Sequence, residues 1–339
     1  MADSNRGPAS GVGRGPNALS EEPSPALVIL NPAAGAGRAR RGWERVRPEL
    51  RHWRTEPEVV ETAAAGHATE LARAAVAAGA GLVIAAGGDG TAHEVVQGLM
   101  EAGAGEAGTA FAHLPLGTGC DLATGLGLPR QPAGLLRRLR AGRDTWIDVG
   151  VAEMAGAQGS ARRYFLNAAN VGLGPAVARR VKESPRLVKL GKLAYVLASV
   201  RELSAARPQP LSWRTDAGET GRQPVLNLFV CNGPSLAGGM RPCPGASLTD
   251  GALHVAVVGD LRLPAALAQM SRLARGRPFD HPGIRTFTCR SIDLEGPAID
   301  VETDGEIAGR LPAKIAVLPG RLRVRMPEQP VAKAISRDS

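Results

Sequence analysis

The sequence LVIAAGGDGTAHEVVQGLM, from Leu82 to Met100, decides the fold of the first half of the chain. Apolar residues lead into the glycine-rich segment 87–91, and a helical pattern follows it. A buried strand, a tight turn and a helix in this order form the repeating unit of a parallel α/β sheet. Consecutive glycines let backbone N–H groups approach a phosphate, and the N-terminus of the following helix adds a positive dipole end. Segment 87–91 therefore predicts a phosphate-binding turn.

Asp89 lies inside this turn, where a carboxylate would repel phosphate unless a cation lies between them. The residue therefore indicates either a Mg²⁺ ion or a structural hydrogen-bonding role, such as capping the helix. Glycine-rich turns are common in α/β sheets, so the turn by itself leaves both interpretations open.

The same alternation of strands and helices extends from Pro25 to about residue 147. The expected strands are 26–32, 58–62, 82–88 and 110–117, and the expected helices are 38–51, 66–78, 91–100, 121–125 and 133–141. Strands that are apolar on both faces and alternate with helices are typical of a mostly parallel, doubly wound sheet. We expect an N-terminal α/β nucleotide-binding domain of this kind.

The pattern changes after about Trp146 to strand-like pieces separated by turns, which lie at 147–154, 163–173, 224–233, 251–260, 285–295 and 313–326. Helices are indicated at 175–183 and 192–203, with a weaker signal at 264–275. Numerous strands with period-two stretches indicate an antiparallel sandwich, so we predict an α/β + β protein with its active site between the two parts. The predicted organisation is a disordered tail (1–24), an α/β domain (25–147), a β-rich domain whose last segment can return to the first (148–326), and a flexible tail (327–339).

Two further glycine loops follow other strands of the predicted parallel sheet. Segment 31–37 follows the first strand, and segment 116–121 follows the fourth. Ligands of open parallel sheets bind outside the carboxyl ends of the strands, and all three loops belong to that edge. The P-loop pattern GxxxxGK[ST] is absent, which excludes a P-loop NTPase. The dinucleotide-binding pattern GxGxxG starts at Gly35 but fails at Arg40, where its last glycine is required.

The composition limits the kinds of binding partner that are expected. The 339 residues carry a net charge of +9, which suits nucleic acid, an anionic membrane or a polyanionic ligand. Aromatic residues make up only 3% and the arginines are scattered, so there is no stacking platform and nucleic acid is not expected. The basic segment Arg137–Arg140 is interpreted as a solvated helix face, with membrane contact as the alternative.

The expected cellular compartment and the expected state of the cysteines rest on motifs that the sequence lacks. No apolar segment reaches the roughly 20 residues of a membrane span, and the first residues lack the apolar region of a signal peptide. We therefore expect a cytoplasmic protein that reaches membranes only peripherally. The cysteines form no CxxC pair, which argues against a disulfide framework or a zinc site; they are Cys120, Cys231, Cys243 and Cys289.

Three motifs together resemble the catalytic domain of the diacylglycerol kinase, sphingosine kinase and bacterial lipid kinase family. They are NPAAGAG (31–37), GGDGT (87–91) and LPLGTGCD (114–121). The resemblance continues through LGKLAYVLASV (190–200), SLTDGAL (247–253) and VETDGE (301–306), and it covers roughly residues 26–325. GGDGT alone also occurs in NAD kinases and phosphofructokinases, whereas the ordered series is far more specific.

The resemblance implies an ATP-dependent lipid kinase in which Glu306 is the general base. It also implies that Asp89 lies next to the Mg²⁺ ion that bridges the β- and γ-phosphates of ATP. From spacing alone, Asp304-Gly305 favours a hairpin turn, and Asp304 is expected to shape that turn or assist a metal. The positions matching the family's ATP site are Asn31, Pro32, Ala33, Ala34, Gly35, Thr62, Gly88, Asp89, Gly90, Thr91, Ala92, His93, Glu94 and Thr118.

A second, structural Mg²⁺ site is implied at the Asp250 carboxylate and the backbone oxygens of Ser247 and Ala252; a simple Asp-Gly turn is the equal alternative. Asp121 and Asp148 are further candidates to join Asp89 around the catalytic ion through waters. The histidines show no ligand spacing and are expected to be capping or core residues; they include His67, His93, His113 and His254.

This chain departs from the family pattern at three positions. Ala34 stands where a hydroxyl residue is usual, Ala36 lies where a lysine is frequent, and Cys120 replaces an asparagine. Arg38 could supply the missing positive charge.

The resemblance implies a membrane lipid as acceptor, either diacylglycerol or a sphingoid base, with a homodimer left open. Two rival functions remain. One is a kinase of a soluble acceptor such as NAD, and the other is a non-catalytic protein that binds nucleotide or lipid.

Overall fold

The structure, a computed structural model, describes residues 25–117, 121–129, 131–156, 159–184 and 192–328. The two predicted tails therefore lie outside the described residues, apart from residues 327 and 328, and so do Thr118 and Cys120. The first four strands are parallel and adjacent in the order β2-β1-β3-β4. They are β1 (Ala26–Leu30), β2 (Glu58–Glu61), β3 (Leu82–Gly87) and β4 (Ala110–Pro115).

Helices cover both faces of this parallel sheet. The connecting helices are α1 (Arg38–Val46), α2 (His67–Ala77), α3 (Asp89–Glu101), α4 (Ala104–Ala107), α5 (Asp121–Gly125) and α6 (Leu135–Arg140), with a 3-10 turn at Arg47–His52. Side chains of α2 and α3 pack on Ile29 and Val83, whereas those of α1 and α6 pack on Val28 and Ile84 on the opposite face. This is the doubly wound arrangement predicted for this half.

Small residues let α2 and α3 pack closely in a core that is poor in aromatic side chains. A Cβ atom on Gly98 of α3 would lie 2.2 Å from the Thr69 carbonyl oxygen of α2. The Ala72 Cβ atom of α2 would lie 2.9 Å from the same added Cβ atom, and Ala72 is fully buried. The alanine-rich composition therefore produces thin, closely packed layers instead of a loose core.

The second half consists mainly of antiparallel strands. They are β5 (Arg143–Gly156), β6 (Gly159–Phe165), β7 (Ala168–Gly172), β8 (Gln209–Thr215), β9 (Thr220–Cys231), β10 (Leu253–Gly259), β11 (Ile284–Cys289), β12 (Ser291–Glu295), β13 (Asp300–Thr303) and β14 (Glu306–Met326). Three helices accompany them, α7 (Leu173–Glu183), α8 (Lys192–Ala205) and α9 (Leu263–Ala274).

The long strand β14 connects the two halves. It pairs with β13, β12 and β5 antiparallel, and Val324 near its end pairs with Phe111 of β4 in parallel. The main sheet path therefore runs β11-β10-β9-β7-β13-β14-β4-β3-β1-β2. The predicted return of the last segment to the first half occurs through β14, and the division at residues 147 and 148 stays a prediction.

The strands of the second half bury different residues on their two faces. Val171 of β7 and Leu228 of β9 pack in the core of the sandwich. Asn170 and Phe229 point to the opposite face, which α7, α8 and α9 cover. A bulge in the pairing of β9 with β10 brings Leu226 to this same face. A cavity between sheet and helices results.

The helices predicted at 175–183, 192–203 and 264–275 are all present, whereas β8 and β13 were not predicted. Among the helices described, none is long and apolar enough to cross a membrane. Three cysteines lie in the described segments and are buried and unbridged: Cys231, Cys243 and Cys289.

Candidate active site

Three loops meet at the carboxyl edge of the parallel sheet. Asn31, after β1, donates from Nδ2 to Thr91 Oγ1 of α3 over 3.1 Å. Gly117, after β4, lies against the turn after β3, because a Cβ atom on Gly117 would be only 2.5 Å from Gly88 Cα. A side chain at Gly117 would therefore push the two backbones apart. The loops after β1, β3 and β4 thus form one continuous edge.

Backbone groups dominate this edge. Helix α3 starts at Asp89, and its N-cap residue Gly88 provides no side-chain cap. The loop after β1 holds Gly35, Ala36 and Gly37 at φ values of 61°, 56° and 80°. Successive backbone N–H groups at such turns and at helix N-termini attract anions. The edge is therefore suited to a phosphate chain.

Asp89 joins the turn after β3 to α5. Its Oδ2 accepts the Asp121 N–H at 3.1 Å and its Oδ1 accepts the Leu122 N–H at 3.2 Å. Asp89, which lies at the start of α3, therefore caps the N-terminus of α5. Asp121 Oδ2 accepts the Gly238 N–H at 2.6 Å, and both carboxylates line the cavity.

The cavity has a volume of about 650 Å³ and extends from the glycine edge to the helices of the second half. At one end it is lined by Gly35, Gly88 and Gly117. At the other end the wall is apolar and includes Leu173, Val177, Leu203, Phe229, Met270 and Leu273. One continuous space therefore has an end lined by the three glycine loops, the glycine edge, and an apolar end, the apolar chamber.

The turn between β13 and β14 lies beside this space. Asp304 has a positive φ of 48°, and its carboxylate accepts three N–H groups, from Leu166 (2.7 Å), Asn167 (2.9 Å) and Ala168 (3.0 Å). This turn is thereby fixed to the segment between β6 and β7. Glu306 follows at the start of β14, is half-buried and lines the cavity.

Glu302 was not predicted as a site residue, yet it lines the same cavity and is 5% exposed. It accepts the Gly305 N–H and, through Oε2, Asn170 Nδ2 at 2.6 Å. Burial raises the pKa of Glu302 to about 7, and the nearby Asp304 carboxylate acts in the same direction. The signal available in the sequence was a second acidic residue two positions before the Asp304-Gly305 turn.

Comparisons with known proteins agree with this geometry. A model of the Diacylglycerol kinase catalytic domain matches residues 25–152, and a model of the YegS C-terminal NAD kinase beta sandwich-like domain matches residues 167–326. A Klebsiella pneumoniae (strain 342) protein named "Probable lipid kinase YegS-like" is 30% identical over 256 residues, which is 72% of this chain and 77% of that protein. This chain belongs to the diacylglycerol kinase family.

Solved structures of related fold extend over almost the whole chain. A Bacillus anthracis str. Sterne protein assigned as a diacylglycerol kinase aligns with a TM-score of 0.74 and 25% identity, over 90% of this chain and 98% of its own. Yeast NADH kinase aligns with a TM-score of 0.52 and 11% identity over 91% of this chain and 84% of its own, which shows a shared fold alone. The family and the fold class predicted from the motifs are confirmed.

The structure brings most of the residues matched to the diacylglycerol kinase family's ATP site to the cavity. Those that line it are Asn31, Ala34, Gly35, Gly88, Asp89, Gly90, Thr91 and Glu94. Pro32 and Ala33 belong to the same loop without lining the cavity, and Thr62 follows β2, where its N–H bonds Leu30. The roles assigned to all these positions stay predictions, as does that of Thr118.

Two matched residues are buried behind the cavity wall. Ala92 packs in the core between α2 and α3. His93 is 7% exposed, and its Nδ1 lies 3.5 Å from Asp304 Oδ2. These positions support α3 and the turn before Glu306.

The segment 247–252 forms a turn that packs against the first half through Leu248. Asp250 Oδ1 accepts the Ala252 N–H at 3.1 Å, and Oδ2 lies 2.9 Å from His254 Nε2. Ser247 Oγ lies 3.2 Å from Thr249 Oγ1. These contacts are the ones that the turn alternative requires, and the structural Mg²⁺ site stays a prediction.

Asp148 does not join Asp89 and Asp121. It is 3% exposed, and its carboxylate accepts the N–H groups of Gly251 and Gly320, both at 2.7 Å. The residue therefore ties two turns of the second half together. Asp148 is not among the residues that line the cavity, and its candidate role around the catalytic ion stays a prediction.

The remaining predictions concern the positive charge of Arg38, the capping or core roles of the histidines, and the basic face of α6. Arg38 lies beside the loop after β1 and donates from Nε to the Gly35 carbonyl at 3.0 Å. His67 Nδ1 accepts the Ala63 N–H, which is a capping role. His113 is buried in β4, and burial lowers its pKa, as expected of a neutral core residue. On α6 the leucines are buried and the arginines face outward.

Proposed function

We propose that the protein is an ATP-dependent lipid kinase that transfers the γ-phosphate to a lipid hydroxyl, with diacylglycerol or a related lipid as acceptor. The observation that carries this proposal is the cavity that joins the glycine edge to an apolar chamber beside Glu306. A nucleotide needs the first feature and an acyl chain needs the second. The lipid kinase names of the relatives support the same conclusion.

The phosphate chain of ATP would lie against the loops after β1, β3 and β4. Glycine backbones at Gly88 and Gly117 leave room for close approach, and the N-terminus of α3 points a positive dipole end at the edge. Arg38 adds a fixed positive charge at the rim. Phosphoryl transfer depends mainly on positioning and charge stabilisation, which such an edge supplies.

A Mg²⁺ ion delivered with ATP fits this edge. Asp89 and Asp121 line the cavity and are the oxygen ligands that Mg²⁺ prefers. Among the described residues no cluster of three or more metal-ligating side chains exists, so an ion here would be bound largely by phosphates and water. When bound, the ion neutralises phosphate charge; Asp89 meanwhile holds α5 against the glycine turn.

Glu306 would act as the general base. The lipid hydroxyl oxygen attacks the γ-phosphorus, the bond to the β–γ bridging oxygen breaks, and the hydroxyl proton passes to the Glu306 carboxylate. Asp304 positions this base, because its three backbone hydrogen bonds fix the turn that carries Glu306. The products are ADP and a lipid phosphomonoester.

Transfer of ³²P from [γ-³²P]ATP with Mg²⁺ to lipids in mixed micelles tests this function. Wild type should label one lipid class, and Glu306→Ala should lose about 10²- to 10⁴-fold in rate. Glu295→Ala, which removes an exposed glutamate on β12, is the matched control. Label in NAD alone would instead assign a soluble-acceptor kinase, and ATP binding without any transfer would assign a non-catalytic protein.

A peripheral membrane contact is proposed at α8 and α9, which border the apolar chamber. Leu197 and Val200 of α8 are 45% and 41% exposed, and Leu263 of α9 is 44% exposed. Arg201 and Arg262 lie beside them and are exposed too. Apolar side chains next to basic ones suit an anionic bilayer surface.

Co-sedimentation with phosphatidylglycerol-containing vesicles checks this contact. Leu197→Ser combined with Val200→Ser should reduce binding several-fold, because the apolar contact is lost. Val59→Ser, which changes a 36%-exposed valine on β2, should bind like wild type. Equal binding by all three proteins would place the contact elsewhere.

A further inference from the structure

Helix α3 carries three polar side chains at intervals of four residues: Asp89, His93 and Gln97. Residues four apart lie on the same face of a helix. Each of the three contacts a different part of the chain: Asp89 bonds α5, His93 lies beside the turn between β13 and β14, and Gln97 bonds β6. His93 and Gln97 are buried and do not line the cavity. This polar face therefore joins the helix that starts at the glycine edge to the second half of the chain.

The backbone of β6 fixes the orientation of the Gln97 amide. Gln97 Oε1 accepts the Tyr164 N–H at 3.2 Å, and Gln97 Nε2 donates to the Tyr164 carbonyl oxygen. The same Nε2 lies 3.5 Å from His93 Nε2. Because an amide NH₂ group only donates hydrogen bonds, His93 Nε2 must be the acceptor. The contact at one ring nitrogen decides which nitrogen carries the proton, so the ring proton of His93 lies on Nδ1.

The Nδ1 side of the His93 ring faces Asp304. Nδ1 lies 3.5 Å from Asp304 Oδ2, and the two side chains are 8% and 4% exposed. The Asp304 carboxylate also accepts the N–H groups of segment 166–168. A proton on His93 Nδ1 therefore adds a donor from α3 to the three donors from the second half. The turn that Asp304 shapes carries Glu306.

We propose that His93 is a positioning residue, which through its Nδ1–H sets the turn carrying Glu306 relative to the N-terminus of α3. This inference rests on the proposed kinase function. There the phosphate chain lies against the glycine edge of the first half, and the acyl chain lies in the apolar chamber of the second half. The contact between His93 and Asp304 spans the two halves, so it fixes the distance between the base and the phosphorus that reacts.

Loss of this contact should act on kcat and not on substrate binding. His93 touches neither the glycine edge nor the apolar chamber, so the groups that bind ATP and the acyl chain stay in place. A small displacement of reacting groups is nevertheless enough to slow a reaction strongly. The three N–H groups of segment 166–168 still hold the Asp304 carboxylate, so the turn itself stays formed.

Steady-state kinetics of His93→Leu and His93→Asn test the role of the Nδ1 donor. Leucine fills a similar volume without a donor, whereas asparagine places an amide N–H close to the position of Nδ1. We expect His93→Leu to lower kcat about tenfold to a hundredfold with both KM values within about twofold of wild type, and His93→Asn to recover most of this loss. His52→Leu, at an exposed histidine of the 3-10 turn, should behave like wild type. Thermal unfolding verifies that each variant is folded.

The order of the two variants separates positioning from packing. If the ring only fills space, leucine should retain more activity than asparagine, because an unpaired polar group is unfavourable in a buried site. That order, or a leucine variant with the kcat of wild type, would overturn the proposal. A raised KM for ATP with an unchanged kcat would also overturn it, because His93 would then belong to the nucleotide site.

Histidine side-chain ¹H–¹⁵N spectra of the wild-type protein test the proposal without turnover. The chain has six histidines, and the signals that disappear in His93→Asn identify this ring. A proton on Nδ1 and none on Nε2 is expected. A proton on Nε2 would overturn the proposal even where the leucine variant does not fold. Absence of transfer by wild type to any lipid would instead refute the proposed function, and the position of the ring proton would still be measurable.

Discussion

The tripeptide Thr-Asp-Gly occurs at 249–251 and at 303–305, and its two copies have different surroundings. The Asp304 carboxylate accepts N–H groups from residues 136 to 138 positions away, and its side chain is 4% exposed. The Asp250 carboxylate bonds residues two and four positions away, and its side chain is 31% exposed. The tripeptide thus encodes a turn, and its partners across the fold decide whether that turn is fixed to distant parts of the chain, as the turn before Glu306 is.

The two turns should differ most in how much free energy of unfolding is lost when the aspartate carboxylate is removed from each. Asp304→Ala leaves three buried N–H groups without their charged acceptor and should lower the free energy of unfolding by about 3–5 kcal/mol. Asp250→Ala loses contacts that water can replace and should cost about 1 kcal/mol or less. Urea denaturation of both variants measures the two losses. Similar losses would mean that the buried contacts of Asp304 add little stability.

The residue two positions before each aspartate also differs between the turns: it is Glu302 in one and Leu248 in the other. We expect this difference to have a smaller effect on the free energy of unfolding. The pKa of Glu302 is raised from 4.5 to about 7 in the folded protein, so the folded state binds more protons than the unfolded state between these pH values. Its contribution to stability therefore falls as pH rises from about 4.5 to 7, by about 3 kcal/mol at most.

Glu302→Gln removes this titration, and its stability relative to wild type should increase over that pH range. Denaturation of both proteins at pH 5 and pH 7.5 checks the sign. Leu248→Ala is the control, because this 5%-exposed leucine does not titrate and its cost should be the same at both pH values. A constant difference between Glu302→Gln and wild type would contradict the raised pKa.

Much of the fold was predictable because apolar strands and glycine turns alternate clearly in the first half. The strands β8 and β13 were missed for physical reasons. β8 contains Pro210 and alternates with polar residues, and β13 has only four residues, two of them acidic. Such strands form because neighbouring strands pair with them and not because of their own propensity.

The candidate site was predictable where its chemistry is carried by the backbone of glycine loops. The hydrogen-bonded pair of Glu302 and Asn170 and the apolar chamber were not predictable, because a sequence does not say which face of a strand a helix will cover. Asn170 reads as one polar residue in an apolar strand, and its position beside Glu302 depends on pairing between residues 132 positions apart. For Asp89 the sequence indicates either a Mg²⁺ ion or a structural hydrogen-bonding role; the structure shows that it caps α5, and the Mg²⁺ role stays a prediction.

Strand β14 limits how substrates can enter. It carries Glu306 at one end and pairs with β4 near the other, and at its irregular point the Gly320 N–H is held by Asp148. Enzymes that close by domain rotation need a few hinge residues free to change conformation. Here β14 pairs with β5 on both sides of the register shift between Leu318 and Leu322, and Asp148 holds the backbone at that point. We therefore expect access for the acyl chain of the proposed substrate to depend on displacement of α7, α8 and α9, while the proposed base Glu306 keeps its position relative to the glycine edge.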